Sequence, residues 1–384
     1  MFGKIEPGWL NGYVNINLKI YQGIAMMNFK DAFLAQIHGR AQNRMLFMPD
    51  LGPWFEWHSR RGTLPEAYRE SSLAGIASAL NCPAWMVRTP WLLEHDGIDV
   101  IREESETQHV IQYHTNHGVL SEIWSLGPDG DWWQTEYPVK DEEDLDAAEE
   151  IVKAMQYRLQ SSSPPEADSN PDIIEAIQLP KTPYSDMLHT MLGWSDGLML
   201  MMAEEARLTE LLAVMEEKRR ELIQNLATEF SHSIFLAPDN LDGQFISPAS
   251  FENHLESSYQ KTCEILHQRN KYLLVHIGGG SRHLLPLLAG CGIDALAGIS
   301  GPPQSDASLS EARKATGSDI TLWGGIPQDY VMPMHDLSVL IESVEAAKAF
   351  AQIDNRTIIG IADHVPVDAE FSRLKEISNR INGS

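Results

Sequence analysis

Three apolar segments alternate with two helix-like segments between residues 271 and 327, and this alternation most constrains how the chain can fold. The apolar segments lie at residues 271–275, 293–297 and 319–323, and each is followed by glycine or a polar side chain. Short apolar strands separated by helices are typical of a parallel sheet covered on both faces. Residues 271–327 therefore predict a strand–helix–strand–helix–strand unit.

The same alternation continues along most of the chain and predicts eight parallel strands. The predicted strands are residues 44–48, 84–87, 185–192, 233–237, 271–275, 293–297, 319–323 and 356–360. Eight strands, each followed by a helix, fit the α/β class and a closed (β/α)8 TIM barrel. We expect residues 27–384 to form this single domain, preceded by an N-terminal extension of residues 1–26.

Residues 99–137 interrupt the alternation. Four β-like segments follow one another there, joined by Asn116-His117-Gly118 and by a Gly-Pro-Asp-Gly sequence at residues 127–130. Such turn sequences between short strands are typical of hairpins. We therefore expect an antiparallel β excursion after the second barrel strand.

The charge balance restricts the partners of the protein. The chain carries 29 Lys and Arg residues against 54 Asp and Glu residues, a net charge of −25. This excess of negative charge argues against binding to nucleic acid or to an anionic membrane. Three scattered cysteines predict no disulfide framework, and no signal pattern or long apolar run is visible. We expect a soluble cytoplasmic protein.

In a parallel barrel, the carboxyl ends of the strands build the active site. The polar and aromatic residues that follow the predicted strands are Asp50, Arg88, Trp194, Asp239, Asn240, His276, Ser300, Trp323, Asp363 and His364. This mixture of carboxylates, imidazoles and aromatic rings suits a flat or apolar substrate that is handled by polar catalysis.

Each candidate has a structural alternative. His276 could be a metal ligand or a general acid/base, or it could simply hydrogen-bond a neighbouring loop. Asp363 with His364 offers an oxygen and a nitrogen ligand, but an Asp at this position could also cap the last helix. Asp239 with Asn240 could bind a substrate amide, ammonium or ring nitrogen, or could belong to an ordinary turn.

The segment after the first predicted strand is rich in aromatic and basic residues. Trp54 and Trp57 could lie over the barrel mouth and stack on a planar ligand, or they could pack under a loop. Arg60 and Arg61 could hold substrate carboxylates, or they could be surface arginines. We expect this segment to be a loop that lines the pocket.

Several motifs, taken in order over residues 27–381, resemble the uroporphyrinogen decarboxylase superfamily, which includes cobalamin-linked methyltransferases. The matching motifs are Asp239 followed by Ile246-Ser247-Pro248, Val275-His276 followed by Gly278-Gly279, and Leu322 followed by Gly324-Gly325-Ile326. Residues 136–140, Glu-Tyr-Pro-Val-Lys, resemble the methyltransferase-like branch. The resemblance implies a TIM barrel enzyme.

Two departures from the family pattern bear on the chemistry. The decarboxylase has an arginine-containing motif where this chain has Asp50-Leu-Gly-Pro-Trp54. The zinc methyltransferases have two cysteines that correspond here to Gly278 and to the neighbourhood of Asp363. The resemblance therefore implies either a harder metal site, built from His276 with Asp363 or His364 and binding zinc or another divalent ion, or no metal.

The resemblance implies a methyltransferase. It would move a methyl group between a small methylated or methoxylated substrate, or a folate carrier, and a corrinoid carried by a partner protein. The alternatives are a decarboxylase or lyase of a carboxylated aromatic or tetrapyrrole, and a ligand-binding barrel that has lost activity. The expected catalytic residues are His276, Asp239 and Asp363. The expected substrate-binding residues are Asp50, Trp54, Trp57, Arg88, Trp194, Asn240 and Trp323. The family also implies a homodimer.

Overall fold

A computed structural model describes residues 28–41, 45–127, 130, 132–160 and 170–383. The expected N-terminal extension of residues 1–26 lies outside these residues. Within the described part, no helix is long and apolar enough to cross a membrane.

The strands of the described residues fall into three sheets. In chain order they are β1 (Leu46–Phe47), β2 (Ala84–Arg88), β3 (Trp91–His95), β4 (Asp99–Glu104), β5 (Gln108–Thr115), β6 (Gly118–Leu126), β7 (Trp132–Glu136), β8 (Met155–Leu159), β9 (Ile173–Gln178), β10 (Ile234–Leu241), β11 (Tyr272–Ile277), β12 (Ala295–Ile299), β13 (Thr321–Ile326) and β14 (Thr357–Ile361). The strands β11, β12 and β13 confirm the unit predicted from residues 271–327.

The main sheet has eight parallel strands in the order β1-β14-β13-β12-β11-β10-β9-β2. Parallel neighbours that follow one another in sequence require a crossover, which helices provide here. Between β1 and β2 the described residues form no ladder. The predicted α/β fold is therefore confirmed as an eight-stranded parallel sheet, while a closed ring of hydrogen bonds is not observed.

The sheet curls around an inner core. Side chains from all eight strands pack in one cluster, which contains Leu46, Trp85, Ile174, Ala176, Ile234, Leu274, Ala295, Ala297, Trp323 and Ile358. Trp85 of β2 meets Trp323 of β13 edge to face, with ring centroids 4.9 Å apart. The strands β2 and β13 are not neighbours in the sheet, so the sheet must bend to bring these rings together. Phe33 and Ile37 from the first helix cover the end of this core that faces the amino ends of the strands.

Helices surround the sheet and bury their apolar sides against it. The longer helices are Phe29–Ile37, Gly52–Arg61, Leu73–Ala79, Leu145–Ala154, Ser195–Ala203, Glu205–Glu229, Pro248–His254, Glu256–His267, Leu285–Gly290, Leu309–Thr316, Leu337–Ala351 and Phe371–Asn382. Short helical segments are Glu66–Tyr68, Glu142–Asp144, Pro183–Asp186, Met187–Leu192 and Gln328–Val331. Local sequence explains one of these starts: Ser247 caps the helix that begins at Pro248.

The predicted antiparallel excursion is confirmed. The strands β4, β5, β6 and β7 form a four-stranded antiparallel sheet. The helix that follows this sheet, Leu145–Ala154, ends where β8 begins. β8 pairs with β3, and Tyr157 packs edge to face on Trp91 with ring centroids 5.4 Å apart.

Two sequence predictions of local structure are wrong. The third barrel strand is β9, whereas residues 185–192 are helical, continuing from Pro183–Asp186 into the π-helix Met187–Leu192. Proline at the first helical position favours that start, and an apolar segment this short does not distinguish strand from helix by periodicity. The aromatic segment after β1 is the helix Gly52–Arg61, which ends at Gly62 in the left-handed conformation.

Candidate active site

A cavity of about 270 Å³ opens at the carboxyl ends of the parallel strands. Its polar lining comes from Asp50, Gln178, His276, Asp363 and His364, which follow or end four different strands. Its apolar lining includes Trp85, Val87, Leu236 and Trp323. Of the predicted site residues, the structure thus brings Asp50, His276, Trp323, Asp363 and His364 together in one cavity.

His276 and Asp363 meet across this cavity. His276 lies in β11, and its Nε2 is 3.1 Å from Oδ1 of Asp363, which follows β14. His364 Nδ1 lies 3.8 Å from the same oxygen. Because β11 and β14 are three strands apart in the sheet, the contact spans part of the lumen. One carboxylate oxygen therefore faces two imidazoles.

The two imidazoles control the charge of Asp363. Burial by itself would raise the pKa of Asp363, but hydrogen bonds from His276 and His364, together with their charges, hold this pKa far below its usual range. Asp363 is therefore ionised at neutral pH. It does not cap the last helix, which begins after Glu370 without a side-chain cap, so that alternative is wrong.

The pKa of Asp50, which lies beside this group, is shifted in the opposite direction. Burial raises the pKa of Asp50, and the opposing effects of the Gly52 N–H, His364 and His276 do not cancel this shift. The Gly52 N–H donates to Asp50 Oδ1 at 2.9 Å, and the Val365 N–H donates to the Asp50 carbonyl at 2.8 Å. These bonds hold the end of β1 against the segment after β14. Because burial outweighs them, Asp50 keeps its proton to a higher pH than a free Asp does.

Two tryptophans form the floor of the cavity. Trp323 Nε1 donates to the Met48 carbonyl at 2.8 Å, which fixes its ring against the end of β1. A Cβ at Gly360 would collide with Trp323 Nε1, so glycine is required there for close approach. The floor is thus rigid and apolar, and the indole donor of Trp323 is already used.

Asp239 does not face the cavity, so its expected catalytic position is wrong. It is fully buried, and Oδ1 accepts from the Thr182 N–H at 2.7 Å and from Thr182 Oγ1 at 2.8 Å. Its Oδ2 accepts from Tyr259 Oη at 2.6 Å. Both carboxylate oxygens therefore anchor the segment that leads into the helix Pro183–Asp186.

Trp54 also lies away from the cavity. The ring is 2% exposed, stacks on Phe371 with centroids 5.8 Å apart, and donates through Nε1 to the Ala369 carbonyl at 2.9 Å. This Trp is therefore a packing residue. Of the pair expected over the mouth, Trp57 alone lines an open surface.

Three further predicted residues lie outside the cavity lining. Arg88 forms an ion pair with the buried Glu175 at 2.9 Å, on the outer side of the sheet. Trp194 packs between His189 and Phe245. Asn240 is exposed at the rim, in the left-handed conformation. These three residues are therefore not placed to contact a substrate in the cavity, contrary to what was expected.

A groove of about 800 Å³ opens next to the cavity and shares Asp50, Asp363 and His364 with it. Trp57 lines this groove, and the Arg61 guanidinium lies 3.2 Å from the centre of the Trp57 ring. Arg60 also lines it and pairs with Glu56 at 2.9 Å. The arginines thus belong to the outer groove and not to the inner cavity.

Sequence reasoning missed several lining residues, including Trp85, Val87, Gln178 and Leu236. Gln178 was missed because the third strand was placed too late in the chain. A signal was present: residues 173–177 are apolar except for Glu175, and this segment ends at Gln178 and is followed by Leu179-Pro180. Such a run bounded by proline is typical of a buried strand.

The expected metal ligands do not fit a metal as they are arranged. The closest set is His276, Asp363 and His364, in which one carboxylate oxygen faces both imidazoles. Among the described residues, no group of three or more His, Cys, Asp or Glu side chains is placed to hold a metal ion. Zinc binding therefore stays a prediction.

Comparisons with known proteins identify the family of the chain. Residues 137–382 match the family model described as uroporphyrinogen decarboxylase (URO-D). The fold is similar to that of a methyltransferase from Methanosarcina mazei, with 13% identity, 93% of this chain and 100% of that chain covered, and a TM-score of 0.58. A structure of the pneumococcal virulence factor StrH covers 90% of this chain and 83% of its own at 10% identity, but its TM-score of 0.36 is too low for an argument. No curated protein matches the sequence. The family match covers more than half of the chain, which therefore belongs to the uroporphyrinogen decarboxylase family.

Proposed function

We propose that this protein is a methyltransferase that takes a methyl group from a small methylated or methoxylated substrate and passes it to a corrinoid carried by a partner protein. The observation that carries the proposal is the pairing of two carboxyl groups in one cavity. Burial raises the pKa of Asp50, whereas Asp363 is ionised and bonded to His276. Carboxyl groups whose environments push their pKa values apart can divide acid and base roles.

Demethylation needs an acid. A methyl group bound to oxygen or nitrogen is transferred readily only if the atom left behind gains a proton as the bond breaks. Asp50 would donate that proton, so the demethylated product would leave as a neutral alcohol or amine. The apolar side chains of Trp85, Leu236 and Trp323 would exclude water from the reacting group.

His276 and Asp363 would take part in the same proton transfer. Asp363 accepts the Nε2–H of His276, which fixes the ring orientation and leaves Nδ1 as the second ring nitrogen. The charge of His276 acts on Asp50, so the two groups lie within electrostatic reach. After each methyl transfer, His276 would return a proton to Asp50 and would regain one from solvent.

The outer groove is where a partner's cofactor would approach. A corrinoid supplies a strongly nucleophilic methyl acceptor when it is bound. Trp57, Arg61 and Trp133 line this groove, and Trp133 is 59% exposed. The exposed Trp133 ring and the half-buried Trp57 ring beside Arg61 suit contact with a flat group that carries polar edges. The homodimer implied by the family stays a proposal, which light scattering would test.

Decarboxylation is the second candidate, and Arg60 and Arg61 favour it because they could hold carboxylates in the outer groove. Neither arginine lines the inner cavity, and Arg60 is paired with Glu56. A substrate carboxylate in the cavity would face Asp50 and Asp363 instead. Repulsion between like charges makes this arrangement less favourable than methyl transfer.

A demethylation assay tests the proposal. The purified protein would be incubated with reduced cobalamin and, in turn, methanol, guaiacol and trimethylamine, and the methylcobalamin formed would be measured by mass spectrometry. We expect cobalamin-dependent demethylation of at least one compound and a loss of roughly 100-fold or more in Asp50→Asn. Asp172→Asn, the same change on an exposed residue before β9, should leave the rate unchanged.

Two results would contradict methyl transfer. Release of carbon dioxide from uroporphyrinogen, without demethylation of any methyl donor, would support the decarboxylase. Binding of small ligands without turnover of either substrate class would support a barrel that has lost activity.

A further inference from the structure

We infer that Gln178 determines substrate specificity: its carboxamide hydrogen-bonds a neutral hydroxyl, carbonyl or amide group of a substrate that carries no carboxylate. This role adds substrate selection to the proposed function, and it rests on that proposal for the reaction catalysed. The binding preference itself can be measured without any methyl acceptor.

The strand β9 directs Gln178 into the cavity. Side chains alternate between the two faces of a strand, and Ile174 and Ala176 lie in the inner core. Gln178 therefore points inward at the carboxyl end of β9, where it lies beside Leu236 of β10. Its carbonyl accepts from Trp91 Nε1 at 2.8 Å, which fixes the backbone. A side chain on such a rigid strand end is well placed for selection.

The carboxamide of Gln178 is available to a ligand. Within the described part of the chain, its backbone carbonyl is hydrogen-bonded, and no protein group bonds its side chain. The neighbouring lining residues Val87, Leu236 and Pro238 offer no side-chain partner. A carboxamide has two donors and an acceptor oxygen, and leaving them without a partner in apolar surroundings is unfavourable. A ligand with a complementary polar group would satisfy them.

The charges of the cavity exclude a carboxylate. The ionisable side chains that line it are Asp50, His276, Asp363 and His364, and the described lining contains no Lys or Arg. Both imidazoles already face Asp363. A substrate carboxylate would be a third acidic group in a small cavity without a guanidinium partner, which is unfavourable. A neutral or cationic substrate avoids this repulsion.

Three probes separate these effects. Benzamide, benzoate and benzylamine share one ring and differ in the charge and hydrogen-bonding capacity of the attached group. Their affinities would be measured by titration calorimetry at pH 7, without a methyl acceptor. We expect the wild-type protein to bind benzamide at least roughly tenfold more tightly than benzoate, because the benzoate charge would lie near the ionised Asp363.

Variants test whether Gln178 forms the hydrogen bond to benzamide. Gln178→Leu should weaken benzamide binding by roughly tenfold and leave benzoate binding unchanged. Gln178→Glu, which keeps the size of the side chain, should strengthen benzylamine binding relative to benzamide. Gln268→Leu, an exposed change at a helix end, is the matched control and should alter none of the three affinities.

Tighter binding of benzoate than of benzamide would overturn the inference. Equal benzamide affinity in Gln178→Leu and the wild type would overturn it as well. If Gln178→Leu does not fold, an unchanged ratio of benzylamine to benzamide affinity in Gln178→Glu would overturn it instead. If the protein transfers methyl groups but does not prefer benzamide to benzoate, only the role inferred for Gln178 is rejected. Absence of methyl transfer with the binding preference intact would reject the proposed function alone.

Discussion

His276 Nε2 lies 3.1 Å from Asp363 Oδ1, and this contact joins the fifth and eighth strands of the parallel sheet across the lumen. Asp363 makes the contact from a left-handed backbone conformation, with φ of 71°. Residues other than glycine, asparagine and aspartate rarely adopt this conformation. The site therefore depends on a local backbone geometry as well as on a side-chain interaction.

The backbone of Asp363 can be tested by comparing two variants that both lose the contact with His276. Asp363→Gly should be more stable than Asp363→Ala by about 1 kcal/mol, because alanine is strained at positive φ. Urea unfolding at pH 7 would measure the free energies of unfolding. Equal stability of the two variants, or a more stable alanine variant, would show that φ at this position is not constrained.

The lowered pKa of Asp363 predicts a pH-dependent contribution to stability. The folded-state pKa lies below the unfolded value, so the contribution is present above the unfolded pKa of about 3.9 and is lost as the pH falls through the folded-state pKa. The wild-type protein should therefore exceed Asp363→Asn in stability at pH 7, and the gap should narrow in acid. Thermal unfolding of both proteins across pH would measure the gap. A gap that stays constant with pH would contradict the assigned charge state.

Asp50 should show the opposite dependence. Its folded-state pKa is raised, so its contribution to stability is present below the unfolded pKa and is lost as the pH rises through the folded-state pKa. Asparagine keeps the acceptor for the Gly52 N–H without carrying a charge. Asp50→Asn should therefore be more stable than the wild type at pH 8 and similar to it near pH 3, while losing activity. A variant that is less stable than the wild type at pH 8 would argue against a protonated role for Asp50.

Substitutions of the two tryptophans after β1, Trp54 and Trp57, should differ in their effects on stability. Trp54→Phe leaves the buried Ala369 carbonyl without its donor and should lower the free energy of unfolding by about 1–3 kcal/mol. Trp57 lines the open groove, so Trp57→Phe should change stability by less than about 0.5 kcal/mol. Chemical denaturation of both variants would measure this difference. Similar losses in both would mean that Trp57 is also a packing residue.

Zinc binding is tested by elemental analysis of the purified protein. To bind an ion, His276 Nε2 would have to give up its hydrogen bond to Asp363. Any metal bound at this site should therefore be lost in both His276→Ala and Asp363→Asn. Metal retained at the same stoichiometry in both variants would mean that it binds elsewhere. A wild-type protein free of metal after growth and dialysis with zinc would reject the zinc proposal.

Local patterns were sufficient for much of the fold. Apolar runs bounded by glycine located β11, β12 and β13, and turn sequences located the antiparallel sheet of β4 to β7. The same kind of pattern failed at residues 185–192, because a short apolar run suits a buried helix as well as a strand. Missing β9 also concealed Gln178. Strand ends were thus predictable under two conditions. A neighbouring glycine or proline had to mark the end, and the apolar run had to be assigned correctly as a strand or a helix.

The chain order alone placed Asp50, His276, Trp323, Asp363 and His364 near one end of a parallel sheet, because the carboxyl ends of parallel strands share an edge. Which side chains enter the cavity was decided by the tertiary structure. Asp239 and Gln178 both lie at strand ends, yet one faces the helices and the other faces the lumen, because the two faces of a strand alternate residue by residue. The distance between His276 and Asp363 and the burial that raises the pKa of Asp50 also depend on how the sheet curls. Those properties arise from contacts between residues far apart in the chain, which local sequence patterns do not encode.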